Sequence, residues 1–140
     1  MNLMTLNPCI SLAFDGQCEA AFKLYERCFN GKITYMLTWG DSPMAKDAPP
    51  HWSGKINHAT LAIGDSRLLG SDPAPGGYEA PRGFGIVINP PEADAERVFT
   101  ELAEGGTVQV PLQETFWAAR FGMLKDRYGI PWVINCEKSA

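Results

Sequence analysis

Apolar and polar residues succeed one another along this chain in an order that is laid down once and then repeated. The first pass opens with an apolar run, Pro8 to Phe14, that reads as a strand. Asp15-Gly16 breaks it and can cap a helix beginning just beyond. From Glu19 to Phe29 the apolar residues Ala20, Ala21, Phe22, Leu24, Tyr25, Cys28 and Phe29 recur at helical spacing. Asn30-Gly31 supplies a left-handed stop, and β-rich Lys32 to Trp39 gives the second strand. Gly40 to Gly54 holds Pro43, Pro49 and Pro50 and has no periodicity, so it reads as a long exposed loop of the kind that often forms a lid or a partner contact. Trp39, Met44 and Trp52 are costly to leave in water, so part of that loop should pack. Lys55 to Ile63 and Arg67 to Ser71 are the third and fourth strands, joined by the turn Gly64-Asp65-Ser66.

The second pass begins after a segment rich in proline and glycine. Phe84 to Asn89 is an apolar strand stopped by Pro90-Pro91, and Pro91-Glu92 suits a helix first turn. Ala93 to Glu104 comes next, with Ala95, Val98, Phe99 and Leu102 on one face and Gly105-Gly106 at its end. Three strands complete the pass: Thr107 to Leu112 (in the longer reading, to Trp117), Arg120 to Asp126, and Pro131 to Cys136, the last two joined at Tyr128-Gly129. Gly31-Lys32-Ile33 and Gly106-Thr107-Val108 occupy matching places in the two passes. The pattern predicts an α+β fold of two βαβββ modules related by a pseudo-two-fold. It is read as a single domain over 1–140, with a first module at about 8–72, a linker at about 73–83 and a second module at about 84–137. A groove shared by two curved sheets is a natural place for a small molecule.

Composition narrows the classes. The chain has 140 residues, 45% apolar and 20% charged, which fits a soluble globular protein with a core of ordinary size. A net charge of −4 without a basic cluster argues against nucleic acid. No apolar run approaches the roughly 18 residues of a membrane span. Met1 to Cys9 lacks a basic segment and a long apolar one, so a cytoplasmic protein is expected. Cys9, Cys18, Cys28 and Cys136 form no CxxC pair and read as small apolar residues, with Cys18 and Cys28 on a mixed helix face. Gly76-Gly77 and Gly105-Gly106 are not phosphate loops, and the serines lack a nucleophile elbow.

The order of motifs resembles the vicinal oxygen chelate superfamily (glyoxalase, bleomycin resistance, extradiol dioxygenase), and within it the PhnB-like branch. The matching stretches are Phe14 to Phe22, Tyr25 with Phe29-Asn30-Gly31, Ile56 to Ala59, Ser71-Asp72, Leu102 to Gly106, Gln113 to Trp117, Phe121-Gly122, and Asp126 to Trp132. The resemblance implies a glyoxalase-like fold, assembly as a homodimer and, in the enzyme members, a divalent metal held by His and carboxylate side chains. It also implies a diversity of outcomes, from isomerases and thiol transferases to metal-free proteins that sequester drugs, so fold alone selects no reaction. Superfamily enzymes often place a metal-binding Glu shortly after an Asp-Pro-Phe-Gly-Asn stretch. Here Val133 stands at that position, Pro8 to Ala13 and Phe84 to Asn89 contain no His, and Leu68 to Ser71 offers only Ser71. The expectation is therefore no cofactor. An altered metal site built on His58 with Glu114 or Asp72 is the disfavoured alternative. No Gly-rich βαβ turn for S-adenosylmethionine is present, so the demethylubiquinone methyltransferase name often attached to such sequences is not adopted.

His58 and Glu114 are the candidate acid–base pair. His58 sits mid-strand, read as sharing a face with Ile56, Thr60 and Ala62, where an imidazole can act near neutral pH. Its competing reading is a partly buried structural histidine. Glu114 stands beside Thr115, Phe116 and Trp117. Its competing reading is a strand-end carboxylate paired with Arg120 or Arg127. Trp39, Asp72, Trp117, Phe121 and Trp132 are the candidate ligand-binding residues. The alternatives are a turn role for Asp72 and core or interface roles for the aromatics. Three functions are compatible with these residues: a metal-independent dimer that binds a small organic molecule in an aromatic-lined groove; a lyase, isomerase or transferase of the same fold; or a non-catalytic interaction protein.

Overall fold

The computed structural model describes residues 6–138. The reading of Met1 to Cys9 as no secretion signal rests in large part on residues outside that range. Two compact units divide between Tyr78 and Glu79. The first carries β1 (Ile10–Ala13), α1 (Cys18–Cys28), β2 (Lys32–Thr38), β3 (Ile56–Ile63) and β4 (Ser66–Ser71). The second carries β5 (Ile86–Ile88), α2 (Glu92–Ala103), β6 (Thr107–Gln113), β7 (Ala118–Lys125) and β8 (Pro131–Glu137). Each forms a four-stranded mixed sheet, in the order β1-β4-β3-β2 and β5-β8-β7-β6. In both, the last strand lies parallel to the first while the other pairings are antiparallel. The expected α+β arrangement of two βαβββ modules is therefore the fold of this chain.

Each helix covers one face of its own sheet. Cys18, Ala21, Phe22, Leu24, Tyr25 and Cys28 of α1 are buried, at the spacing that puts one stripe inside. Phe22 meets Phe14 edge-on at 6.1 Å, and Ala59 and Leu61 of β3 are buried with them. The mixed face expected for Cys18 and Cys28 is thus a core face, and burial pushes the Cys18 thiol far above its ordinary range. Ala95, Val98, Phe99 and Leu102 of α2 are buried in the same way in the second unit.

The repeated glycines have one physical cause. Asn30 and Gly105 take the left-handed conformation that ends each helix, with φ of +53° and +75°. The next residues, Gly31 and Gly106, then pass directly beneath the neighbouring strand. A Cβ on Gly31 would lie 2.7 Å from the Ala62 carbonyl oxygen, and one on Gly106 would collide with that of Lys125. Backbone cannot yield as a side chain can. Gly106→Ala is expected to lower stability by about 1–3 kcal/mol or more, read as an earlier urea midpoint. A midpoint equal to wild type would show that the crossing relaxes freely.

Two expectations need correction. The segment Gly40–Gly54 is not a freely exposed loop. Two 3-10 turns, Ala45–Asp47 and Pro50–Trp52, compact it, and Trp39 N–H and Gly40 N–H donate to Lys55 O and Ser53 O at 2.8 and 2.9 Å. The indole of Trp39 is only 7% exposed. Strand β6 also ends at Gln113 and does not run to Trp117. Thr115 N–H donates to Ala118 O, and Ala118 N–H to Thr115 Oγ1, both at 3.0 Å, which closes a tight turn and lifts Phe116 and Trp117 out of the ladder.

Candidate functional site

In the first unit the candidate residues divide between a buried staple and the outer sheet face. Asp72 comes directly after β4 and is 1% exposed. Its Oδ1 accepts the N–H of Cys18 at 3.0 Å, and its Oδ2 accepts the N–H of Ile56 at 2.9 Å. One carboxylate thus caps α1 and fixes the start of β3. The residue before α1, Gln17, makes no side-chain cap, so the capping expected of Asp15-Gly16 comes instead from 54 positions away. The Asp72 carbonyl accepts the Trp39 indole N–H at 2.8 Å and the Trp52 indole N–H at 3.5 Å. Trp39 and Asp72 are thereby joined to each other, and Asp72 spends both carboxylate oxygens on the backbone. Burial raises the Asp72 carboxyl above its ordinary range, with those backbone donors and the Lys55 charge pulling it part of the way back.

His58 is exposed on β3, opposite Leu37 and 5.8 Å from the ring of Tyr35. It does not share a face with Ile56. Leu37 pairs with His58 while the next residue, Thr38, pairs with Ile56, so Asn57 is an extra residue in β3. The bulge breaks the period-two alternation, leaving Ile56 buried with Ala59 and Leu61. His51, the other histidine, stacks edge-on against Trp52 at 6.0 Å.

In the second unit Asp126 plays a comparable part. Its Oδ1 accepts from Tyr128 N–H at 2.8 Å and Ile130 N–H at 3.0 Å, and its Oδ2 accepts the Trp132 indole N–H at 2.8 Å. The carboxylate shapes the β7–β8 turn and fixes the indole, which is 1% exposed. Trp132 thus faces inward with Leu124 and Ile134, and Met123, Lys125 and Val133 alternate with them onto the face turned away from α2.

On that face lies a pocket of about 370 Å³, walled by Pro81 to Gly85, Gln109, Met123, Lys125, Pro131, Trp132 and Val133. Val133, which by the family resemblance replaces a carboxylate, is one of its walls. A larger hollow of about 750 Å³ in the first unit lies between Leu6 to Cys9 and the β3–β4 turn. Among the described residues it has no aromatic wall, and Asp65 and Arg67 both line it, so it is the less suited of the two to an apolar ligand. Trp117 and Phe121 come together with Phe116, at centroid distances of 5.2 Å for Phe121 and 4.7 Å for Phe116 from Trp117, but on the β6–β7 hairpin, where Phe116 is 89% exposed. Glu114 is exposed beside them and pairs with Lys138 at 3.6 Å, not with Arg120 or Arg127. His58 belongs to the first unit and Glu114 to the second.

The divalent metal of the superfamily's enzymes finds little here to hold it. β1 reads Ile-Ser-Leu-Ala, the end of β4 offers only Ser71, β5 reads Ile-Val-Ile and β8 presents Val133. Hydrocarbon side chains carry no lone pairs for an ion. Among the described residues no three His, Cys, Asp or Glu side chains gather in a way that could hold one. These side chains do not fit the usual site.

The fold and this geometry agree with a definite class of known proteins. Residues 6–134 match the family model of the Glyoxalase/Bleomycin resistance protein/Dioxygenase superfamily, and the chain belongs to that superfamily. It is 34% identical to protein YjdN of Escherichia coli (strain K12), with 96% of this chain and 97% of that protein aligned. The crystal structure of protein PA1353 from Pseudomonas aeruginosa is 44% identical and superposes with a TM-score of 0.87 over 96% of this chain and 100% of that one. A PhnB protein from Bacillus cereus shares the fold at 21% identity, with a TM-score of 0.79 over 94% of this chain and 99% of its own.

Proposed function

We propose that this chain is a metal-independent, PhnB-like member of the superfamily that binds a small organic molecule on the face of its second sheet turned away from α2. The observation that carries the reading is the pocket of about 370 Å³ in which Val133 stands among Met123, Phe84 and Pro131. Its volume lies within the range of ligand sites, which begins at roughly 300 Å³. An isopropyl wall favours an apolar body over an ion. The protein is read as a cytoplasmic homodimer. The exposed aromatic hairpin of Phe116 and Trp117 supports association, because such a patch is costly to leave in water. No helix among the described residues is long and apolar enough to cross a membrane. The catalytic alternative rests on His58, whose imidazole is accessible beside Tyr35.

The test is a fluorescence titration with N-phenyl-1-naphthylamine, a neutral apolar probe, on protein stripped with a chelator. Saturable binding of one probe per chain is expected, unchanged by added divalent cations and lost in Val133→Phe, which fills the pocket. Binding that requires a divalent cation, or that survives Val133→Phe in a folded protein, would overturn the reading.

A further inference from the structure

The proposed pocket carries an electrical signature that its shape and apolar lining do not require. Two of its walls are cationic: Arg82, on the segment leading into β5, and Lys125, at the end of β7. Among the described residues no Asp or Glu is one of its walls. Among the described residues neither side chain makes a hydrogen bond or an ion pair. The remaining walls are largely apolar, from Pro81, Phe84, Met123, Pro131, Trp132 and Val133, with Gln109 as a neutral polar group. The chain as a whole is acidic, at −4, so two uncompensated cations around one hollow are not a reflection of its average surface.

Physical chemistry assigns such a pocket an occupant. Low-polarity walls reduce screening inside a hollow, and two like charges on its rim repel each other until an anion sits between them. Guanidinium offers a planar fork that matches a carboxylate or sulfonate, and ammonium adds a compact second charge. Resting on the proposed binding function, we infer that the ligand is an organic acid: an apolar, ring-sized body lying against Met123, Phe84 and Val133, with one carboxylate or sulfonate group held between Arg82 and Lys125.

The test compares two probes that differ by one charged group, N-phenyl-1-naphthylamine and 1-anilinonaphthalene-8-sulfonate, which is the same skeleton bearing a sulfonate. Wild-type protein is expected to bind the sulfonate about tenfold more tightly, equivalent to about 1.4 kcal/mol, and the preference should shrink as salt is raised. In the double variant Arg82→Gln, Lys125→Gln the two affinities should converge to within about threefold. Arg82→Lys with Lys125 intact should retain most of the preference. The inference fails, with the binding function left standing, if both probes bind, Val133→Phe removes both, and their ratio is near one or is the same in the double variant. If neither probe binds folded wild-type protein, or if Val133→Phe changes neither affinity, the binding function itself fails and takes this inference with it.

Discussion

Replacing Asp126 by alanine should destabilise the protein by about 2–6 kcal/mol, a large share of the stability of an ordinary domain. The figure comes from two donors left without this acceptor in the interior, Ile130 N–H and the Trp132 indole, at about 1–3 kcal/mol each. The half-buried Tyr128 N–H, which loses the same carboxylate, adds a smaller share. Urea unfolding with a fitted midpoint and slope measures the loss. Asp126→Asn should fall between, since an amide keeps one acceptor. The consequence reaches the pocket, because the turn that this carboxylate shapes leads directly into Pro131 and Val133, two of its walls. A loss below about 0.5 kcal/mol, the size of a surface change, would show that the turn does not depend on Asp126.

Asp72→Ala is expected to cost a similar amount, about 2–6 kcal/mol, because the buried N–H groups of Cys18 and Ile56 lose both oxygens at once. Its effect should also depend on pH in a direction that can be worked out. Burial raises the folded-state pKa of Asp72, so the folded protein holds this proton more tightly than the unfolded chain. The group's contribution is then fully present below its unfolded pKa and is lost as pH rises through the folded value. The stability advantage of wild type over Asp72→Asn should therefore widen as the solution is acidified through that range, measured by urea midpoints at a series of pH values. An advantage that narrows on acidification would show that the backbone donors outweigh burial.

The periodicity of the chain made the fold legible. Helical spacing in Glu19 to Phe29 and in Ala93 to Glu104, and the Asn30-Gly31 and Gly105-Gly106 stops, are local signals, and the elements formed where those signals stand. What the sequence concealed was non-local. Nothing near Asp72 in the chain reveals that its carboxylate caps a helix 54 residues upstream. The face of His58 was misread because one inserted residue, Asn57, shifts a strand's alternation without altering its composition. Glu114 has two arginines within reach along the sequence but meets a lysine near the chain's end, because strand pairing brings Ala118 opposite Glu137. The pocket could be approached only through Val133. The walls Pro81 to Gly83 lie in a stretch without periodicity, which read as a linker, and Phe84 and Gly85 in what read as the start of the next strand; sequence pattern says nothing about which sheet face such a stretch will lean on.

In each unit the first strand finds its partner only in the last one made, β1 beside β4 and β5 beside β8. Ribosomal synthesis proceeds from the N-terminus, so β1 must wait until Ser71 has emerged, whereas β5 stays unmatched until β8, Pro131–Glu137, has been made. Ring closure of this sort rewards the chain late and is intrinsically slow. The earlier unit therefore has everything it needs to lock while the later one is still being translated, and a nonsense codon between β5 and β8 would strand an apolar Ile-Val-Ile edge open to aggregation.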